Sequence, residues 1–374
     1  MKQKRETRDS GIELLRIVLM LQIIMLHIYD YGNYSDIAKD MGSNHQLLAQ
    51  FMWSFFRTPV DVFILISGYF MVNNQFGNPN YRKRIIRVYT PAFFYSVVLG
   101  LICMKWYPFG ITHNEYNIVK IFTPFFSKTW YFISIYLMIM ILAPFVNITL
   151  TKLNKRQYLG LIGILGVFLS IWPNLSSFYP FDQVFSVHKV VDTFEGKSFI
   201  SLGFLYIIGG YLRRFLLENK KKKWIYLFAF IGFAMSDFIL RRISVPHVFE
   251  YNKIFGRFDN PLVICAAVSL FLFFREINFK SRIVNSIAGT TFGIYMIHEF
   301  PPVRDFIWRK LFDLNGNYHG IFANKTYVIK LYGIMLLVFV GCMLLEYARQ
   351  FLFAAVERLF TRVKVKTGAK GIYR

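Results

Sequence analysis

The stretch GIELLRIVLMLQIIMLHIYD, from Gly11 to Asp30, decides the class of the molecule. A hydrocarbon core about 30 Å thick takes roughly 20 apolar residues at 1.5 Å each, and this run is long enough to cross one. Four ionisable residues interrupt it: Glu13, Arg16, His27 and Asp30. Together with Met20 and Ile23 they are spaced 3, 4, 3, 4 and 3, which is one stripe of an α-helix. Arg16 and His27 are eleven residues apart. About 1100° of rotation therefore leaves them within roughly 20° of one face and about 16 Å apart along the axis. An ionisable group inside a membrane helix is costly enough to be a functional candidate on that ground alone. The plainer alternative is that Arg16 snorkels to headgroups beside Glu13, while His27 caps the helix near the outer interface.

The rest of the chain agrees with the first helix. Of its 374 residues 55% are hydrophobic and 17% charged, and the mean hydropathy is +0.40, which excludes disordered, collagenous and disulfide-scaffold classes. The net charge of +23 would suggest nucleic acid in a soluble protein. Here the Lys and Arg residues fall in short runs between apolar stretches, so they read as topology signals and no nucleic-acid partner is expected. Cys103, Cys265 and Cys342 lie within apolar stretches without paired spacing, and no metal is expected from them. The run after residue 11 lacks a small-residue cleavage site and is expected to remain as a helix.

About ten stretches approach spanning length: 12–29, 52–73, 88–105, 130–150, 158–173, 199–217, 224–240, 261–275, 287–303 and 327–347. With the N-terminus in the cytoplasm, the connecting segments on that side hold 27 Lys and Arg and those on the other side 13. That bias predicts an all-α, polytopic helix bundle with both termini cytoplasmic. Residues 1–350 read as one membrane domain and 351–374 as a basic cytoplasmic tail. Any chemistry must then use residues within the helices or at their ends.

Helix two carries Arg57 and Asp61 at i, i+4, at a depth similar to His27. A carboxylate near a histidine can hold it in one tautomer and make it a better base. Equally, Arg57 and Asp61 can form a structural pair that never meets His27. Arg82, Lys83, Arg84 and Arg87 form a basic cluster ahead of helix three, either a stop-transfer signal or a site for phosphates. Ser67-Gly68 allows close approach of a helix or a ligand. Tyr295 and His298 share a face late in the chain, to orient an acceptor or to bond a neighbouring helix. Gly160, Gly163 and Gly166 suggest close helix packing. His45, His113, His188, His247 and His319 lie in expected outer loops without ligand spacing, and neither a GxSxG elbow nor a P-loop is present.

Five of these segments carry a resemblance. GIELLRIVLMLQIIMLH, with Arg16 and His27 separated by ten residues, resembles the first helix of the acyltransferase-3 family of integral membrane acyltransferases. VDVFILISGY (Val60–Tyr69) resembles its second-helix signature, with Ile64 where a second Phe is common. YRKRIIRVYTP (Tyr81–Pro91), WYFISIYLMIMILAP (Trp130–Pro144) and GIYMIH (Gly293–His298) are similar to later motifs, in family order.

The resemblance implies an O-acetyltransferase of the cell-surface glycan type, in a multi-pass and bacterial plasma membrane setting. It would move acetyl from cytoplasmic acetyl-CoA to a hydroxyl of a surface or lipid-linked polysaccharide. His27 is then the expected general base, oriented by Asp61 or Asp30, or else a transient acetyl carrier, with His298 near the acceptor. Arg16, Arg82, Lys83, Arg84, Arg87 and Ser67 are expected to hold the coenzyme A thioester. Lipid and glycan are the other expected partners, and a homo-oligomer is compatible with this reading. The rival from another class is a transporter or flippase whose polar stripe lines a path for a glycan or small molecule.

Overall fold

The structure is a computed structural model, and it describes residues 9–34, 38, 42–76, 79–105, 118–176, 184, 193–216, 222–244, 257–313 and 325–366. His113, His188, His247 and His319, the first eight residues and the end of the tail from residue 367 lie outside the described residues. No strand occurs among the described residues, and the chain is an all-α polytopic helix bundle.

The helices are α1 (Ser10–Asp30), α2 (Ser43–Phe55), α3 (Pro59–Met71), α4 (Pro79–Lys105), α5 (Tyr131–Lys152), α6 (Lys155–Gly166), α7 (Phe199–Phe215), α8 (Lys223–Ser244), α9 (Pro261–Arg275), α10 (Arg282–Ala288), α11 (Thr291–His298), α12 (Pro301–Asp305) and α13 (Tyr327–Lys366). Local chemistry sets many of their ends. Asp9 caps α1 by accepting from Gly11 N (3.0 Å). Asn154 and Gln157 form a reciprocal capping box at α6. Arg214, in the last turn of α7, reaches the free carbonyls at the end of α5 on Leu150, Thr151 and Leu153.

Six described helices are long and apolar enough to cross a bilayer: α1, α4, α5, the continuous run Lys155–Leu175, α8 and α13. Two of the ten expected spans are broken. The expected helix 52–73 is broken between α2 and α3, because Pro59 takes the first position of α3 and leaves Arg57 and Thr58 in the break. The expected span 287–303 is cut twice, at Gly289 and before Pro301. α7 and α9 stand where the spans 199–217 and 261–275 were expected, with 17 and 15 residues. Two of the short elements, α3 and α11, are interior ones. Ten of the 13 residues of α3 and seven of the eight in α11 are buried. A broken helix is tolerable at membrane depth only where protein, not lipid, surrounds it. The helix α13 runs without interruption across residue 350 to Lys366.

α1 is the hub, packed against α3, α9, α10 and α13, while α3 lies along α7. The α3–α7 crossing is close in both directions: a β-carbon at Gly68 would collide with the Tyr206 carbonyl, and one at Gly209 with the Leu65 carbonyl. Gly160 and Gly163 do not pack in that way. Nothing among the described residues comes within 4 Å of where their β-carbons would be, and at Gly166 the nearest is the Phe204 ring at 3.6 Å. The expectation of close packing at this glycine series is therefore corrected, since the series lies on a rim helix.

Candidate active site

At its C-terminal end α1 presents His27 to the break between α11 and α12. Pro301 creates that break: Phe300, just before it, takes an extended conformation and α11 stops at His298. Two adjacent residues, His298 and Glu299, are thereby turned towards His27.

The hydrogen bonds fix the protons. His298 Nδ1–H donates to the Ile294 carbonyl (2.6 Å), so its Nε2 carries the lone pair and accepts from His27 Nδ1–H (3.1 Å). His27 Nε2 is then the unprotonated nitrogen, with no protein partner among the described residues, on a side chain that lines a cavity of about 130 Å³. Glu299 Oε2 stands 3.3 Å from His27 Nδ1 without a hydrogen bond, in place to oppose the charge when His27 takes up a proton. Its Oε1 is held by the Tyr31 hydroxyl (3.0 Å) and Arg304 (3.4 Å). A histidine so arranged can take a proton at Nε2 from a hydroxyl in the cavity and be stabilised as the cation.

The same cavity is walled by Asp30, Tyr31, Arg57, Phe63, Tyr131, Phe132, Lys197, Thr291, Phe292 and Tyr295, among others. Arg57 is clamped between the rings of Trp53 and Phe258, its guanidinium carbon 3.9 Å from each centroid. Lys197 follows three successive left-handed residues, Phe194, Glu195 and Gly196. A β-carbon at Gly196 would strike the Asp259 backbone, and strain of this kind gathers at functional sites. Burial first, and then the neighbouring Arg57 charge, hold the Lys197 ammonium below its usual range.

A second cavity opens beside the N-terminal end of α1, lined by Arg16, Ser67, Arg87, Tyr136 and Gly289. It shares Phe63, Phe132, Thr291 and Phe292 with the His27 cavity. Phe132 stacks on Tyr136 (5.8 Å between centroids) and meets Tyr295 edge-on (5.9 Å), so one ring stands between the two spaces. Arg16 is paired with Glu13 (3.1 Å), and Ser67 donates to the Phe63 carbonyl (3.0 Å) with the Tyr136 hydroxyl 3.1 Å from its own oxygen.

Among the residues singled out from sequence, His27, Asp30 and His298 gather at one site, with Asp30 lining the cavity. Asp61 is buried, both its carboxylate oxygens lack a hydrogen-bond partner, and it makes no hydrogen bond or ion pair with His27. The carboxylate beside His27 is Glu299, which the sequence reading passed over. Its signal was an acid inside an expected span, immediately after the Tyr-x-x-His motif. The basic cluster divides: Arg87 reaches the second cavity with Arg16 and Ser67, Arg84 is half-buried, and Arg82 and Lys83 are exposed.

The family model for acyltransferase-3, described as an acyltransferase domain, matches residues 9–347. The chain belongs to the acyltransferase-3 family. No curated protein and no solved structure matches it. Membership makes this a multi-pass membrane acyltransferase, and it spans both cavities: the matched region contains every residue that lines them.

Proposed function

We propose that this acyltransferase moves acetyl from cytoplasmic acetyl-CoA to a hydroxyl of a cell-surface or lipid-linked glycan, with His27 as general base. The observation that carries this reading is the pair of cavities meeting at Phe63, Phe132, Thr291 and Phe292, one with Arg16 and Arg87, the other with His27. Arg87 and Arg16 suit the phosphates of the donor, and the pantetheine arm would run along α1 for about 16 Å towards His27. In the His27 cavity, flat aromatic walls and the polar groups Asp30, Arg57 and Lys197 suit a sugar.

The acceptor O–H gives its proton to His27 Nε2 while its oxygen attacks the thioester carbonyl. The tetrahedral intermediate collapses, the C–S bond breaks, and the thiolate leaves and takes up the proton from His27. Glu299 stabilises the imidazolium between these steps, and His298 holds the ring in the tautomer that begins them. Asp30 lies near enough to the acceptor space to orient it, whereas Asp61 acts on Arg57 and the α2–α3 break.

Sealed vesicles of known orientation test the arrangement. Radiolabelled acetyl-CoA added outside should label glycan only where the cytoplasmic face is outward, with the label recovered in the lumen. Equal labelling from both orientations would overturn the proposed sidedness, and no thiol release from acetyl-CoA in any orientation would overturn the donor.

A further inference from the structure

The contact that fixes the tautomer of His27 has a second chemical meaning. His27 Nδ1, His298 Nε2 and a Glu299 carboxylate oxygen all lie within 4.8 Å of one another, with 3.1 Å and 3.3 Å for the two contacts made by His27. Tetrahedral zinc with bonds of about 2.0–2.1 Å to nitrogen sets its ligand atoms roughly 3.3 Å apart. Two edges of a zinc tetrahedron's face, those from His27, are thus already at the right length, and the third closes within 4.8 Å. Two histidines and one carboxylate are a ligand set that zinc favours, and they leave a fourth position for water.

The supports around them fit as well. His298 gives its other N–H to a backbone carbonyl, Ile294 O at 2.6 Å, the arrangement that turns a ligating histidine to its metal. Glu299 has one oxygen tied by Tyr31 and Arg304 while the other is buried without a hydrogen bond. Tyr31 OH, Arg304 and the Ile294 carbonyl do not compete for the three facing atoms.

We propose that His27, His298 and Glu299 form a binding site for a divalent transition metal, zinc foremost, and that the bound metal switches off the base. The inhibitory half rests on the reading of His27 as the general base. A neutral imidazole has one N–H. When the metal takes the Nδ1 lone pair, the ring's proton is carried by Nε2, so no proton is released and the nitrogen facing the cavity becomes a donor. It can then no longer accept a proton from a hydroxyl. The metal also engages the Glu299 oxygen that would have opposed the imidazolium. Zinc is therefore an inhibitor here, in contrast to zinc hydrolases that activate a bound water.

The test uses the full chain purified in detergent, stripped with EDTA and titrated with Co²⁺, whose ligand-field absorption reports a four-coordinate site without any catalytic assay. One equivalent should give that spectrum, and Zn²⁺ should displace it, as the order of metal affinities requires. His298→Ala and Glu299→Gln should each weaken binding about 10- to 100-fold or more, while His45→Ala, remote from the three ligands, should leave it unchanged. Circular dichroism and gel filtration establish that each variant is folded. Thiol release from acetyl-CoA should fall with the Zn²⁺ occupancy measured spectroscopically and return with EDTA. A missing Co²⁺ spectrum, or one that persists in folded His298→Ala and Glu299→Gln, would overturn the site. Stimulation by Zn²⁺ would overturn the inhibitory half. The two readings fail separately: a Co²⁺ site in a protein that never releases thiol keeps the metal site and removes the proposed donor, and thiol release without a Co²⁺ site does the reverse.

Discussion

The middle of this bundle and its rim are built from different kinds of helix. In α1, 67% of the spanning window is buried in protein, against 11% in α8. The rim helices α4, α5, the run from Lys155 to Leu175, α8 and α13 are long, apolar and largely continuous. The interior helices α3 and α11 are short, bounded by breaks at Pro59, Gly289 and Pro301, and polar groups gather at those breaks. Lipid imposes continuity, since an unsatisfied peptide group facing hydrocarbon costs several kcal/mol. Protein neighbours lift that demand, and the breaks so permitted are where His298, Glu299 and Arg57 are aimed. The rim supplies insulation and the centre supplies chemistry.

The sharpest way to break this contrast is at His27. Replacement by Ala should lower the transfer rate about 10²- to 10⁴-fold while the helical signal and membrane insertion stay as they were, checked by single-turnover acetyl transfer and circular dichroism. Retention of a tenth of the activity would remove His27 from the chemistry. Glu299→Gln should follow with a loss on the order of 10²-fold, expressed in kcat and not in the KM for acetyl-CoA, because Glu299 touches His27 and not the second cavity. A rise in KM alone would place Glu299 in binding.

Arg87→Ala belongs to the other cavity and should show the opposite split. Loss of a charge-assisted contact to phosphate, about 1.5–3 kcal/mol, raises the KM for acetyl-CoA roughly 10- to 100-fold with kcat nearly unchanged. Topology should survive, because Arg82, Lys83 and Arg84 remain. If CoA affinity in detergent is unaltered, the cluster is a topology signal alone.

The smallest effects compare two glycines. Gly68→Ala places a methyl against the Tyr206 backbone in the interior and should cost about 1–3 kcal/mol, read as a lower midpoint of thermal unfolding. Gly160→Ala meets nothing within 4 Å and should stabilise by about 0.5–1 kcal/mol through helix propensity. Equal responses would mean that centre and rim are not packed differently.

This contrast also governs what could be read from sequence. The rim was legible from hydropathy, because a helix facing lipid must show its length and apolarity in its own residues; α8 falls close to where the apolar run places it, and α13 begins where expected, at Tyr327, but continues to Lys366. The interior was legible through its motifs, and the stripe from Arg16 to His27 survives intact in α1. Its geometry was not. Asp61 was favoured as the partner of His27 on depth alone, yet Pro59 breaks helix two and Asp61 begins a separate helix. Glu299 was passed over because its role depends on which helix α11 packs against, and its partner α1 is distant in sequence. The glycines show the same limit, since Gly68 and Gly160 differ only in what stands opposite them.

The Phe63, Phe132, Thr291 and Phe292 wall has one further consequence. Two cavities approach it from opposite ends of α1, and without it they would merge into a single wet passage through the protein. Such a passage would conduct ions, each driven by about 2.3 kcal/mol per 100 mV of membrane potential. Aromatic rings packed on Tyr136 and Tyr295 deny water a continuous file, so a slender uncharged arm can be accommodated where a hydrated ion finds no companions. The four side chains that on the proposed reading would bring a donor to its acceptor would thus also keep the membrane electrically tight.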